Sequence, residues 1–179
     1  MKKHIRFTSP LAIVALFAAN LCFVASVKAA DETKMQSQSK LSANDKKFVK
    51  KAYKGGLEEV DLAKIANEKA KNEATKAVAE RMITDHAKAN EELLNIAKEE
   101  HVDLSKVHVK PANLSGPDFD KEYLTLLKTD HEKDIAMFEK EATDSGTKED
   151  SDVKAFAKKM LPTLKEHLKM VEDALAKEK

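Results

Sequence analysis

The sequence predicts an all-α fold, a four-helix bundle of two antiparallel hairpins joined by a long connection. Three observations carry this expectation. Glycine and proline are scarce, four of each in 179 residues, while Ala, Lys, Glu and Leu dominate. Apolar residues recur at the ~3.6-residue helical period in four segments, 44–70, 73–100, 118–143 and 151–177. The first two segments are separated by a tight break, the middle two by a long proline-containing stretch, and the last two by Asp144-Ser145-Gly146-Thr147.

Residues 1–29 stand apart from that pattern. Lys2, Lys3 and Arg6 precede an apolar run over 11–27, and small residues at Val27-Lys28-Ala29 suit cleavage after Ala29. This reads as a signal peptide, and the chain is expected to be exported by a bacterium to the periplasm or beyond. A retained transmembrane anchor is the rival, since the run is nearly long enough to span a bilayer. After cleavage no membrane span is expected to remain. Cys22, the single cysteine, lies inside the run without small residues before it, so a lipoprotein signal is not expected and no thiolate or disulfide follows.

Four of the 32 basic residues (Lys2, Lys3, Arg6, Lys28) and none of the 31 acidic ones lie in 1–29, leaving 28 against 31, a net charge of −3. Arg81 is the one arginine left, which argues against nucleic acid as a partner. A protein partner in the envelope stays open. Lys/Glu pairs such as Glu68/Lys71 and Glu139/Lys140 read as a solvated outer face.

Residues 30–43 are polar and lack period, a flexible tether before the bundle domain at 44–177. Ser42 or Asn44 caps the first helix, and Asp45 suits its positive end. Gly55-Gly56 within that helix costs about 1 kcal/mol per residue relative to alanine; close helix–helix approach is the favoured reason, room beside Glu59 the other. Asn72 caps the second helix. The stretch 101–117 could extend ~56 Å, whereas a 27-residue helix is ~40 Å long, so it can cross the whole bundle. His101 and His108 follow no stripe there and read as surface residues. Pro117-Asp118 opens the third helix and Asp150 or Ser151 the fourth, in which Pro162 is expected to produce a kink.

On helical wheels each segment centres one polar group in an apolar stripe: Glu59, His86, His131 and His167. All four lie near mid-helix and should share a layer. Asp134, one turn after His131, can reach the same point. Three imidazoles with one or two carboxylates form an N/O donor set suited to iron, manganese, zinc or copper. Asp85, Asp130 and Glu166 each precede a histidine and point ~100° away, placed to orient the imidazole of a neighbouring helix. The alternative is a metal-free module whose core histidines form a hydrogen-bonded polar layer. No nucleophile triad, phosphate loop or HExxH motif is present, and a non-catalytic role is expected.

The segments Gly55-Gly56-Leu57-Glu58-Glu59-Val60-Asp61-Leu62, Met82-Ile83-Thr84-Asp85-His86-Ala87-Lys88-Ala89-Asn90, Phe119-Asp120-Lys121-Glu122-Tyr123 with His131, and Leu161-Pro162-Thr163-Leu164-Lys165-Glu166-His167-Leu168 occur in that order. Over 42–175 the chain resembles an exported bacterial family catalogued as a domain of unknown function and often labelled "predicted outer membrane protein". The resemblance implies a ferritin-like four-helix bundle and no particular activity. Ferritin-like di-iron proteins carry Glu-x-x-His on two helices. Here Ile83 and Leu164 stand three residues before His86 and His167, so any metal site is expected to be mononuclear or differently built. Storage, buffering or envelope stress protection are the roles such a site would serve.

Overall fold

A computed structural model describes residues 41–110, 114, 116–146 and 151–178. The signal-peptide reading and nearly all of the tether lie outside the described residues. Four helices form: α1 (Ala43–Lys69), α2 (Glu73–Glu99), α3 (Phe119–Thr143) and α4 (Asp152–Leu175). Each matches its sequence expectation to within two residues at either end.

Local chemistry sets the helix ends. Ser42 and Asp45 form a reciprocal capping box, with Asp45 N–H donating to Ser42 Oγ at 3.1 Å and Ser42 N–H to Asp45 Oδ2 at 2.9 Å. Asn72 Oδ1 accepts from Ala74 N–H at 2.8 Å, and Ser151 Oγ from Lys154 N–H at 3.1 Å. Lys71 and Asn72 also donate their backbone N–H groups to Asp120 at 3.0–3.1 Å, which ties the α1–α2 turn to the start of α3. After α2 the exposed His101 takes a left-handed φ of 54°, and Val102 N–H closes onto Ala97 O at 2.7 Å. The α4 helix is continuous through Pro162.

The helices α1 and α2 form one hairpin, α3 and α4 the other, and α1 also packs on α3 while α2 packs on α4. Contacts between positions 59 and 131, 55 and 134, 85 and 167, and 92 and 159 run in opposite chain directions. Every neighbouring pair is therefore antiparallel, and the connection after α2 crosses the length of the bundle. Among the described residues no helix is long and apolar enough to cross a membrane.

The core has two apolar halves. One gathers Phe48, Val49, Leu93, Ile96, Phe138, Phe156 and Leu164. The other gathers Leu62, Met82, Tyr123, Leu124, Leu127 and Val171. Positions 59, 86, 131 and 167 fall between these two sets along every helix, so a polar layer separates them.

A three-histidine layer in the bundle core

His86, His131 and His167 meet in that layer. Their ring centroids lie 5.3–5.5 Å apart pairwise, a nearly equilateral triangle. His131 and His167 are 0% exposed, and His86 and Glu59 5% each. One nitrogen from each ring comes within 4.8 Å of one from each of the others.

Each ring is held from outside by an acceptor. Glu59 Oε2 lies 2.9 Å from His86 Nδ1 and Glu59 Oε1 3.2 Å from His131 Nδ1. The Leu127 carbonyl oxygen lies 3.0 Å from His131 Nδ1. Asp85 Oδ2 lies 2.9 Å from His167 Nε2, and Asp85 is itself steadied by Arg81 Nε at 2.5 Å. Carboxylates and carbonyls only accept, so the hydrogen bonds to Leu127 and Asp85 put the proton on His131 Nδ1 and His167 Nε2, and the charge of Glu59 beside His86 Nδ1 favours a proton there. A neutral imidazole has a single N–H. Neutral rings therefore turn three lone pairs inward, on His86 Nε2, His131 Nε2 and His167 Nδ1.

That arrangement demands a positive charge. His131 Nε2 and His167 Nδ1 face one another at 3.3 Å, where two lone pairs would repel. His86 Nε2 is buried with no hydrogen-bond partner. Either a proton or a metal ion resolves the conflict. The spacing suits an ion: two nitrogens bound at ~2.0–2.1 Å to one tetrahedral centre stand ~3.3 Å apart.

The electrostatics divide the rings. Burial pushes the His131 imidazole below its ordinary value, and pushes His167 down to about 4 against the opposing hydrogen bond that His167 donates to Asp85. Burial alone would depress His86 too, but the Glu59 carboxylate outweighs it and holds His86 above its ordinary value. Burial likewise works against ionised Glu59, yet His86, His131 and His167 together keep that carboxyl below its usual range.

Of the five residues the sequence singled out, the structure gathers three histidines as a potential ligand set. Glu59 stands behind two of them, against their outer nitrogens. Asp134 lies to the side, half-buried across from Gly55, where an added Cβ would stand 3.8 Å from its Oδ2. Burial, reinforced by the negative charge of Glu59, pushes the Asp134 carboxyl up to about 7. Both acids line a cleft of ≈ 300 Å³ that reaches the layer from outside between α1 and α3, together with Glu58, Asp130, Lys110 and Lys133.

Among the acids that precede histidines, Asp85 orients the imidazole of a neighbouring helix, as expected. Asp130 instead pairs with Lys133, and Glu166 faces Arg81 across the surface. Gly56 permits the close helix–helix approach expected of it, against a side chain of α2. A Cβ at Gly56 would collide with the buried Asn90 side chain, whose Cγ lies at 3.0 Å, so Gly56 makes room for an amide. His101 and His108 are exposed. Asn90 and the Leu127 carbonyl escaped sequence reasoning; Asn90 sits one turn after His86 on the same stripe, which was the available signal.

A family model described as "Domain of unknown function (DUF4142)" matches residues 30–174. No curated protein matches the chain. Among solved structures it is similar to the "Crystal structure of DUF305 fragment from Deinococcus radiodurans", at a TM-score of 0.60 and 12% identity, with 76% of this chain and 97% of that one covered. At that identity the likeness concerns the helical fold alone. The family match spans most of the chain, and the chain belongs to the DUF4142 family.

Proposed function

We propose that this DUF4142 member is an exported, non-catalytic bundle protein that holds one transition-metal ion on His86 Nε2, His131 Nε2 and His167 Nδ1. Storage, buffering or envelope stress protection is the role such a site serves. The observation that carries the reading is the set of three buried inward lone pairs, two of them 3.3 Å apart. Three imidazoles without thiolate suit zinc, copper, iron or manganese in their divalent states. Glu59, the Leu127 carbonyl and Asp85 then act as the outer partners that ligating histidines use to set tautomer and orientation. Glu59 and Asp134 serve from outside the ligand triangle. Near-complete burial of the rings supports a holding rather than a turnover role. Export rests on the charged start, apolar run and small-residue pattern of residues 1–29.

Elemental analysis of untagged protein tests the proposal. About one equivalent of a transition metal is expected, with chelation lowering the melting temperature and His86→Ala or His131→Ala lowering the stoichiometry. Protein that purifies without metal, and whose melting ignores both chelator and added divalent zinc, copper, iron or manganese, overturns it.

The close Glu59–His86 pair, with the imidazole held above its ordinary value, favours a second reading in which a proton takes the place of the ion. The layer is then a metal-free structural device within an envelope interaction module. Its stability follows pH and is indifferent to metal.

A further inference from the structure

The N-terminal half of α1 carries Lys46, Lys47, Lys50, Lys51 and Lys54. At ~100° per residue these five fall within an arc of ~140°. Facing them, the start of the connection places Lys106, Val107 and His108, and a groove of ≈ 490 Å³ lies between the two walls. Lys46 is half-buried; the other lysines and His108 are exposed. Lys54 pairs with Glu58 at 2.5 Å, whereas Lys46, Lys47, Lys50, Lys51 and Lys106 have no ion pair among the described residues. Asp103, whose carboxyl Lys106 and Lys50 help to hold below its ordinary value after hydrogen bonds from Ser105, offsets a small part of this charge.

Stability does not account for the stripe. Lys46/Lys50, Lys47/Lys51 and Lys50/Lys54 are like-charged pairs one turn apart, each of which weakens a helix. Lys46, in the first turn, also sits unfavourably at the positive end of the helix dipole. Departures of this kind from local rules are where function is expected.

We infer that this groove docks on the anionic headgroups of a phospholipid surface. Lysine supplies compact point charges that answer a diffuse negative field, whereas bidentate recognition of individual phosphates calls for arginine, and none lines the groove. No Phe, Tyr or Trp lines it either, so the large stacking platform of single-stranded nucleic-acid binders is missing. Residues 30–40, the polar stretch left after the expected cleavage, join the bundle at this same end of α1. The docking is independent of any metal in the core.

Sedimentation with vesicles tests the inference, comparing phosphatidylcholine alone with the same lipid containing about one third phosphatidylglycerol. The readout is the increment in binding of the full chain on adding the anionic lipid, since residues 1–27 contribute equally in every variant. A lysine close to an anionic surface is worth roughly a fivefold factor. The triple variant Lys47→Gln/Lys50→Gln/Lys51→Gln is expected to lower the increment on the order of a hundredfold. Raising salt from about 50 to about 300 mM should erase it in the parent chain. The control Lys69→Gln/Lys98→Gln/Lys121→Gln, exposed lysines outside the groove, should leave it intact. An increment untouched by the groove variant, or lost equally in the control, overturns the inference. So does groove-dependent binding to duplex DNA without preference for anionic vesicles.

Discussion

Replacing Glu59 by Gln keeps the side chain's shape and removes its charge from the middle of the polar layer. In metal-free protein Glu59 is held below the ordinary 4.5 and His86 above the ordinary 6.5, so between those limits they form a buried ion pair. The depressed Glu59 value contributes stability that is present above pH 4.5 and lost as pH falls through its folded value. The raised His86 value contributes stability that is complete below pH 6.5 and lost as pH climbs through its folded value. Removing one member of a buried pair costs on the order of 3–5 kcal/mol. Wild type should therefore exceed Glu59→Gln by about that much between pH 4.5 and 6.5, and the gap should narrow toward alkaline pH as His86 loses its proton. Urea denaturation followed by far-ultraviolet circular dichroism, with chelator present, at about pH 5.5 and about pH 9 measures both gaps. Equal gaps at the two values, or a wider one at the alkaline value, would refute an ionised Glu59–His86 pair.

His167, pushed from 6.5 to about 4 by burial, contributes roughly 3 kcal/mol that is present above pH 6.5 and lost as pH falls toward 4. His167→Gln should remove most of that acid-side slope in chelator-treated protein, while Glu59→Gln should steepen it, because burial then depresses His86 with no carboxylate to oppose it; urea titrations across this range compare them. Asp134 is raised from 3.8 to about 7, so its ionisation erodes stability as pH rises through that window. Asp134→Asn should stabilise the protein by about 2 kcal/mol at pH 8, after discounting for partial exposure, and by little at pH 4. The neighbouring glycines should respond in opposite directions. Gly55→Ala meets only ordinary contact with Asp134 and should gain about 1 kcal/mol of helix propensity. Gly56→Ala collides with Asn90 and should lose about 1–3 kcal/mol, a loss that Asn90→Ala reverses; thermal melts of the double-mutant cycle decide.

The layer was legible because helical period and depth are properties of the chain alone. One polar residue centred in each apolar stripe, at mid-helix in every segment, fixes both the face and the level at which Glu59, His86, His131 and His167 meet. The caps at Ser42, Asn72 and Ser151 follow from side chains that bond their own backbone, so local sequence suffices for them too. What each ring nitrogen touches is a different matter. Whether Glu59 faces an inner or an outer nitrogen depends on side-chain rotamers and on the lateral offset between α1 and α3. Asp85 reaching His167 depends on α2 lying beside α4 and not opposite it, an adjacency that no helical wheel contains. The role of Gly56 was hidden because its partner, Asn90, is a side chain on another helix. The α1 lysines are in plain view in the sequence, but the groove is not, because the wall supplied by Lys106 and His108 exists only once the connection has folded back beside them.

The position of the layer bears on what metal binding would do to this fold. Glu59 and His86 belong to the α1–α2 hairpin, His131 and His167 to the α3–α4 hairpin, and the contacts across the layer join the two. Within each hairpin the apolar contacts are extensive, whereas between hairpins α1 meets α3 and α2 meets α4 along narrower seams. An ion bound to one imidazole of the first hairpin and two of the second would act at those seams, and stabilisation by a ligand at a hundredfold its Kd is about 2.7 kcal/mol. In the metal-free molecule the same seams are held by the Glu59–His131 contact and by the Asp85–His167 hydrogen bond, while Glu59–His86 ties α1 to α2 within the first hairpin. The two cross-seam contacts join the hairpins when the centre is protonated, and together with Glu59–His86 they keep every outer ring nitrogen occupied so that the lone pairs point inward when a metal ion arrives.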